Sequence, residues 1–263
     1  MTLTASQRAG EVLLAAQGLR QRFGGIVALD DVSFTVPEGS ICGLIGPNGA
    51  GKTTLFNCIT RIYPGEGRLL FAGVDLMPLA VHRIAGMGIA RTFQNLAMFA
   101  SMTVEDNIRV GGHAVTRAGF MQTALALPSV AREERQLIRR VDEVVEFLGL
   151  AAVRRHRAVE LPFGVQKRIE LARALVTRPR LILLDEPACG LNHAEVDDLA
   201  GVIRAIRADM GATVLLVEHH MRLVMGICDK VVALNFGAKI AEGGVEEVRN
   251  HPDVIRAYLG DAA

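Results

Sequence analysis

Excess charge is the first thing this sequence lacks: 29 Lys and Arg stand against 28 Asp and Glu, a formal net charge of +1. The whole-chain field therefore gives no reason to expect nucleic acid or a charged membrane surface as a partner. Cysteine is sparse as well. Cys42, Cys58, Cys189 and Cys228 lie far apart and form no CxxC pair, which argues against a zinc site or a disulfide framework. They are expected to be small buried residues in a reducing cytosol. No apolar run approaches the ~18 residues that a membrane-spanning helix needs. The stretch Met1–Gly10 contains no apolar h-region, so no signal peptide is expected and these residues are expected to be flexible. The chain should be cytoplasmic unless a partner holds it on a membrane.

What remains is 263 residues of which 50% are apolar, enough for one large α/β domain or two small ones. Val32–Val36 alternates like a strand, and Pro37-Glu38-Gly39 turns into a second apolar run at Ile41–Ile45. A glycine-rich loop follows, then a helical pattern from Lys52 to about Arg61. Gly65-Glu66-Gly67 turns into a further strand, Arg68–Phe71. From about Asn95 to Leu161 β-branched runs become rare, and Leu137, Val141, Val144, Val145 and Leu148 recur near helical spacing. Strand-like runs return at Leu181–Leu184, Thr213–Val217 and Val231–Leu234, with helical stretches around Val165–Val176 and Glu195–Asp209. This alternation predicts a mostly parallel sheet, a small antiparallel section from the early strands, and a helical insert at about 95–177 inside one domain of 11–263. Asn235-Phe236-Gly237 reads as a hairpin turn.

Two segments carry chemistry. Gly46-Pro47-Asn48-Gly49-Ala50-Gly51-Lys52-Thr53 fits G-x-x-x-x-G-K-[ST], between a strand and a helix, with Thr54 continuing it. Glycines let successive N–H groups approach phosphate oxygens, and the following helix presents its positive end to the same anion. Lys52 would reach the β- and γ-phosphates of ATP and the Thr53 hydroxyl would ligate Mg²⁺. The apolar run Leu181–Leu184 ends in Asp185-Glu186. A strand tip holds a carboxylate rigidly, which suits Asp185 to the Mg²⁺ shell, and Glu186 could accept a proton from attacking water. An NTPase of the P-loop class follows from these two.

The segment between them resembles a narrower family. Leu161-Pro162-Phe163-Gly164-Val165-Gln166-Lys167-Arg168 is similar to the ABC transporter signature, LSGGQ, and stands before a helix leading into the acidic strand. Gln94 resembles the Q-loop residue, His219 the switch histidine, and Ala188-Cys189-Gly190-Leu191-Asn192 the D-loop. Phe23, before Gly24-Gly25, resembles the aromatic residue that stacks on adenine. The resemblance implies two such subunits packed head to tail, each ATP lying between one phosphate loop and the other subunit's signature. Gly164 would then begin a helix facing the partner's γ-phosphate, Gln94 would sense the γ-phosphate and Mg²⁺, and His219 would hold the γ-phosphate or the attacking water. Pro162 and Val165 depart from the usual Ser and Gln, and Pro162 has no N–H to donate.

Phe23-Gly24-Gly25 with Ala28-Leu29, Gly88 through Asn95, Glu218 through Met221 with Met225-Gly226, and the tail His251 through Gly260 resemble the ATP-binding subunits of branched-chain amino-acid importers, G-type paralogue. That family implies two transmembrane permease subunits, a second ATPase subunit, an extracytoplasmic substrate-binding protein, and a peripheral place on the cytoplasmic face of the inner membrane. Urea, amide or aromatic-acid import, lipopolysaccharide export and a soluble ABC factor are the competing readings. One cassette, near-neutral charge and no heptad run argue against the last.

Overall fold

Uninterrupted apolar runs become the buried middle of a twisted sheet. The computed structural model describes residues 10–94, 96–115 and 128–259. Apart from Gly10, the expectation of a flexible start falls outside the described residues, as do Asn95 and Gly260. The strands are β1 (Val12–Phe23), β2 (Ile26–Pro37), β3 (Ile41–Ile45), β4 (Glu66–Phe71), β5 (Val74–Asp75), β6 (Ile89–Arg91), β7 (Leu181–Asp185), β8 (Thr213–Val217), β9 (Lys230–Asn235) and β10 (Ala238–Gly243). The helices are α1 (Lys52–Ile59), α2 (Val81–Ile84), α3 (Val104–Gly112), α4 (Pro128–Phe147), α5 (Phe163–Leu175), α6 (His193–Met210), α7 (Met221–Ile227), α8 (Val245–Arg249) and α9 (Pro252–Leu259). Among the described residues no helix is long and apolar enough to cross a membrane.

The core sheet has the order β10-β9-β3-β8-β7-β6. Its strands pair in parallel except for the β9–β10 hairpin, which turns at Phe236-Gly237 as expected. Both faces are covered, which is why β3, β7 and β8 read as continuous apolar runs rather than alternating ones. Along β7, Ile182 and Leu184 join the core beneath α4, α5 and α6, while Leu181 and Leu183 face the core around α1 and the second sheet. Leu215 and Val217 of β8 divide from Val214 and Leu216 in the same way. Each such fully buried aliphatic side chain contributes roughly 1.5–3 kcal/mol. The second sheet is antiparallel, order β2-β1-β4-β5, as the early strands predicted.

One sequence expectation needs correction, and strand β1 carries no clean alternation to announce it. Cys189 is exposed and Cys228 half-buried; only Cys42 and Cys58 are the buried residues expected, and burial pushes their thiols up to about 12 and about 11. His220 is half-buried, and its Nδ1 is enclosed without a hydrogen-bond partner among the described residues.

Candidate functional site

Strand β3 delivers the chain into the phosphate loop and α1 takes it out at Lys52. Gly46, Gly49 and Gly51 hold left-handed φ of 149°, 82° and 100°. A Cβ on Gly46 would stand 2.2 Å from the Leu234 carbonyl oxygen, and one on Gly51 would stand 2.6 Å from that of Ala28. The loop is thus threaded between β2 and the β9–β10 hairpin, and only glycine fits at those two positions. The Gly237 N–H donates to the Ala50 carbonyl at 3.1 Å, and the Gly46 N–H to the Tyr258 hydroxyl at 2.8 Å. Ala50 is buried, Pro47 and Thr54 half-buried, and Asn48, Gly49 and Thr53 exposed, so the open side of the loop carries the threonine hydroxyl.

Lys52 lies back across this loop. Its ammonium donates to the Gly46 carbonyl at 2.6 Å and to the Pro47 carbonyl at 2.8 Å. Burial lowers its pKa, and the Glu186 and Asp185 carboxylates nearby raise it in part. The same lysine that holds the loop closed on itself is therefore within electrostatic reach of both acids, and a phosphate could replace the two carbonyls as its partner.

Asp185 ends β7 almost wholly buried. One of its oxygens takes the Arg91 guanidinium at 2.8 Å, with the two side chains 6% and 4% exposed. Arg91 is further held by Asn57 Oδ1 at 2.6 Å and lies over the rings of Phe93 and Phe56 at 5.0 and 5.5 Å. Beyond it, Glu186 adopts φ 46°, a left-handed conformation that a non-glycine residue rarely keeps unless the surroundings enforce it. Its N–H donates to the Val217 carbonyl at 3.0 Å, and its carboxylate accepts Gln94 Nε2 at 2.7 Å. The loop after β3, the acids after β7 and Gln94 after β6 all lie at the carboxyl ends of the parallel strands, the usual ligand crevice of an open α/β sheet.

These residues fit a magnesium nucleotide. Mg²⁺ usually takes one or two protein oxygens together with phosphates and water. Asp185 offers a carboxylate oxygen that Arg91 does not take, and Thr53 offers an exposed hydroxyl. Among the described residues no cluster of three or more His, Cys, Asp or Glu could hold a metal without the phosphates.

The remaining candidates lie around this centre. His219 is exposed just past β8, its N–H donating to Glu218 at 3.1 Å. Phe23 is 42% exposed at the end of β1, edge-on to Tyr63 at 4.9 Å. Its hairpin partner β2 leads back to Ala28 against Gly51. Helix α5, which follows the segment resembling the signature, begins at Phe163, one residue before Gly164, with Pro162 as its cap. Val165 and Gln166 turn their N–H groups back onto the Pro162 carbonyl, which leaves those of Phe163 and Gly164 pointing outward from the first turn.

Sequence reasoning missed the residues that hold this arrangement. Arg91 partners Asp185 across the sheet. Buried Glu218 accepts N–H groups from Ala188, His219 and His220 at 2.8, 3.1 and 3.1 Å, and so pins the D-loop segment and the histidine to one carboxylate. Glu170 accepts the Phe93 N–H at 2.9 Å, immediately before Gln94. The available signal was an acid at the end of an apolar strand for Glu218 and an acid on the buried face of α5 for Glu170.

Comparison with known proteins adds the following. Residues 29–189 match the family described as ABC transporter, and residues 238–263 match one described as branched-chain amino acid ATP-binding cassette transporter. A high-affinity branched-chain amino acid transport ATP-binding protein of Pseudomonas aeruginosa is 43% identical over 251 residues, covering 95% of this chain and 98% of its own. The protein of the same description in Escherichia coli K12 is 43% identical over the same shares. A crystal structure of the ADP conformation of an ATP-binding cassette of an ABC transporter superposes with a TM-score of 0.83 at 31% identity, covering 95% of this chain and 99% of that one.

Proposed function

The chain belongs to the ABC transporter family, and from that premise we propose that it hydrolyses ATP to drive import of branched-chain amino acids. One observation carries the reading at the level of chemistry. Lys52, Asp185, Glu186 and Gln94 meet at the carboxyl ends of β3, β7 and β6, with the Gln94 amide on the Glu186 carboxylate at 2.7 Å. The near-complete coverage of branched-chain transport relatives supports the cargo.

In the proposed reaction the phosphate loop, Gly46 through Thr54, holds the nucleotide phosphates. Lys52 leaves the Gly46 and Pro47 carbonyls for the terminal phosphates. Thr53, Asp185 and Gln94 would hold Mg²⁺, which when bound would neutralise charge on the phosphate oxygens. Glu186 takes the proton of the attacking water, and Gln94 keeps that carboxylate in place. His219 faces the γ-phosphate, and Phe23 stacks on adenine. Gly164 serves the nucleotide of a second ATPase subunit in trans. The exposed rings of Phe93 and Phe99, at the start of the helical region of about 95–177, would offer apolar contact to two permease subunits. The working place is then the cytoplasmic face of the inner membrane, beside an extracytoplasmic binding protein.

The test is uptake in a strain lacking this chain. Import of labelled leucine, isoleucine and valine should fall, return with the wild-type chain, and stay low with Glu186→Gln. Normal leucine uptake with loss of urea or aromatic-acid uptake would reject the cargo and keep the ATPase. Cysteines placed between Leu96 and Asn107, Asn95 excluded, should cross-link to a permease in membranes; capture of soluble proteins alone would reject the transporter assembly.

A further inference from the structure

The Q-loop segment is held from two directions. Before Gln94 it belongs to the sheet: Thr92 N–H donates to the Leu183 carbonyl at 2.9 Å, Thr92 Oγ1 accepts the Asp185 N–H at 3.3 Å, and Arg91 pairs with Asp185. After Gln94 it belongs to the signature helix: Arg173 of α5 donates to the Ala97 carbonyl and lies over the Phe99 ring at 5.3 Å. Glu170, also on α5, stands at the joint and accepts the N–H of Phe93 at 2.9 Å.

Glu170 is an expensive residue for that place. It is 8% exposed, its nearest cation is Lys167 at 3.9 Å, and burial pushes its carboxyl above the usual range more than Phe93, Lys167 and Arg173 pull it back. Asp185 also faces it and adds to the rise. A buried ionisable group of this kind is weak evidence for stability, because an apolar side chain of similar volume usually packs as well. What an apolar side chain cannot do is accept a backbone N–H.

We infer that Glu170 is a positioning residue: through Phe93 it sets Gln94 on Glu186 and ties that contact to the helix that carries Gly164. The first turn of α5 and the Gln94–Glu186 pair then move together. A shift of α5, whether from a second subunit at Gly164 or from a permease at Phe99, is felt at the proton acceptor without any change in the phosphate loop. The inference rests on the reading of Glu186 as the base.

Three variants of the full chain decide it, each measured for ATPase kcat, KM for MgATP and thermal melting. Glu170→Met keeps the length and removes the acceptor; it should lower kcat about tenfold, the scale of a small misplacement at the reacting group, with KM held within about twofold because the loop is untouched. Glu170→Gln keeps a carbonyl oxygen for Phe93 and should retain wild-type kcat. Glu186→Gln should lose turnover. Wild-type kcat in Glu170→Met beside an inactive Glu186→Gln overturns this inference alone, as does an equal loss in Glu170→Gln or a loss carried by KM. Normal turnover in Glu186→Gln overturns the reading of the base and this inference with it. Hydrogen exchange needs no variant, and it decides the case if Glu170→Met fails to fold. The Phe93 amide of the native chain should be protected, and exchange at the rate of an open segment overturns the inference.

Discussion

Removing Arg91 isolates the electrostatic frame of the site. The Arg91–Asp185 pair is 2.8 Å long and its side chains are 6% and 4% exposed, so Arg91→Leu leaves a carboxylate buried with no cation on it. Breaking one partner of a buried pair costs ~3–5 kcal/mol. At roughly 2–4 °C per kcal/mol for a domain of this size, the melting point should fall by about 6–20 °C. The lost contacts with Asn57 and the rings of Phe56 and Phe93 add to the fall. Calorimetry on Arg91→Leu, Asp185→Asn and the double variant separates these contributions. The double variant removes the stranded charge, so it should melt above Arg91→Leu, and the cycle should show a coupling well beyond additivity. Mg²⁺ with a non-hydrolysable nucleotide should stabilise Arg91→Leu more than the wild type, because the metal then takes the place of the guanidinium lost from Asp185. A fall of under about 2 °C, or strictly additive single losses, would refute the reasoning.

The other predictions are shorter. Glu186→Gln should bind ATP and lose ~10²-fold or more in turnover, as for removal of a general base; near-normal turnover in a coupled ATPase assay would take it out of that role. Lys52→Ala should lose nucleotide affinity in a direct titration, since it removes the one side-chain cation on the loop; unchanged affinity would count against the phosphate-loop reading. Glu170 carries a pH dependence whose sign is fixed by its raised pKa: its contribution to stability is present below the unfolded value of 4.5 and is lost as pH rises through the folded value. Glu170→Gln should therefore melt higher than wild type at neutral pH, with the gap closing on acidification toward that value; a gap that widens in acid would contradict it. Pro162→Ser should leave ATPase activity of the assembled transporter similar or modestly higher, and a large loss would show that the proline itself is required.

Legibility of the sequence followed distance along the chain. The phosphate loop is a local object: its glycines, lysine and threonine are adjacent, and the strain that demands Gly46 and Gly51 shows as a glycine pattern. The apolar runs of β3, β7 and β8 are equally local, since burial on both faces writes itself into consecutive residues. Strand β1 has no such signature. It pairs with β2 and with β4 through several register shifts, and its sequence passes from the apolar Leu13–Ala16 to a mixed Gln17–Arg22, with Leu19 buried among polar residues, without a clean alternation. The partners inside the site are remote: Arg91 from Asp185, Phe93 from Glu170, and Gly46 from Tyr258 are 94, 77 and 212 residues apart. No periodicity records such pairs. A single sequence shows that Asp185 ends a strand but not which cation stands over it.

The signature segment shows why a motif match leaves its physical reason open. The resemblance gives Gly164 a role toward a nucleotide in another subunit. Within one chain the position is already crowded, since a Cβ there would stand 2.7 Å from Glu195 Oε1. A side chain there would have to push that carboxylate aside and disturb the capping box that Glu195 and Asn192 form at the start of α6. Gly190 is under the same constraint from the other side, with φ 81° and a would-be Cβ 2.8 Å from the Phe163 ring. The first turn of α5, the D-loop segment and the cap of α6 are therefore one packed block, and a substitution at Gly164 would disturb it whether or not a phosphate ever meets it. Pro162 fits that block in a way its lost hydroxyl obscures. A serine at a helix cap accepts an N–H from the second or third helical residue, which offsets part of what its hydroxyl would give an anion. Proline at the cap makes no such side-chain bond, and its carbonyl accepts the N–H groups of Val165 and Gln166 as a cap carbonyl does. The N–H groups of Phe163 and Gly164 then stay outward at the positive end of the helix dipole, where an incoming phosphate would need them.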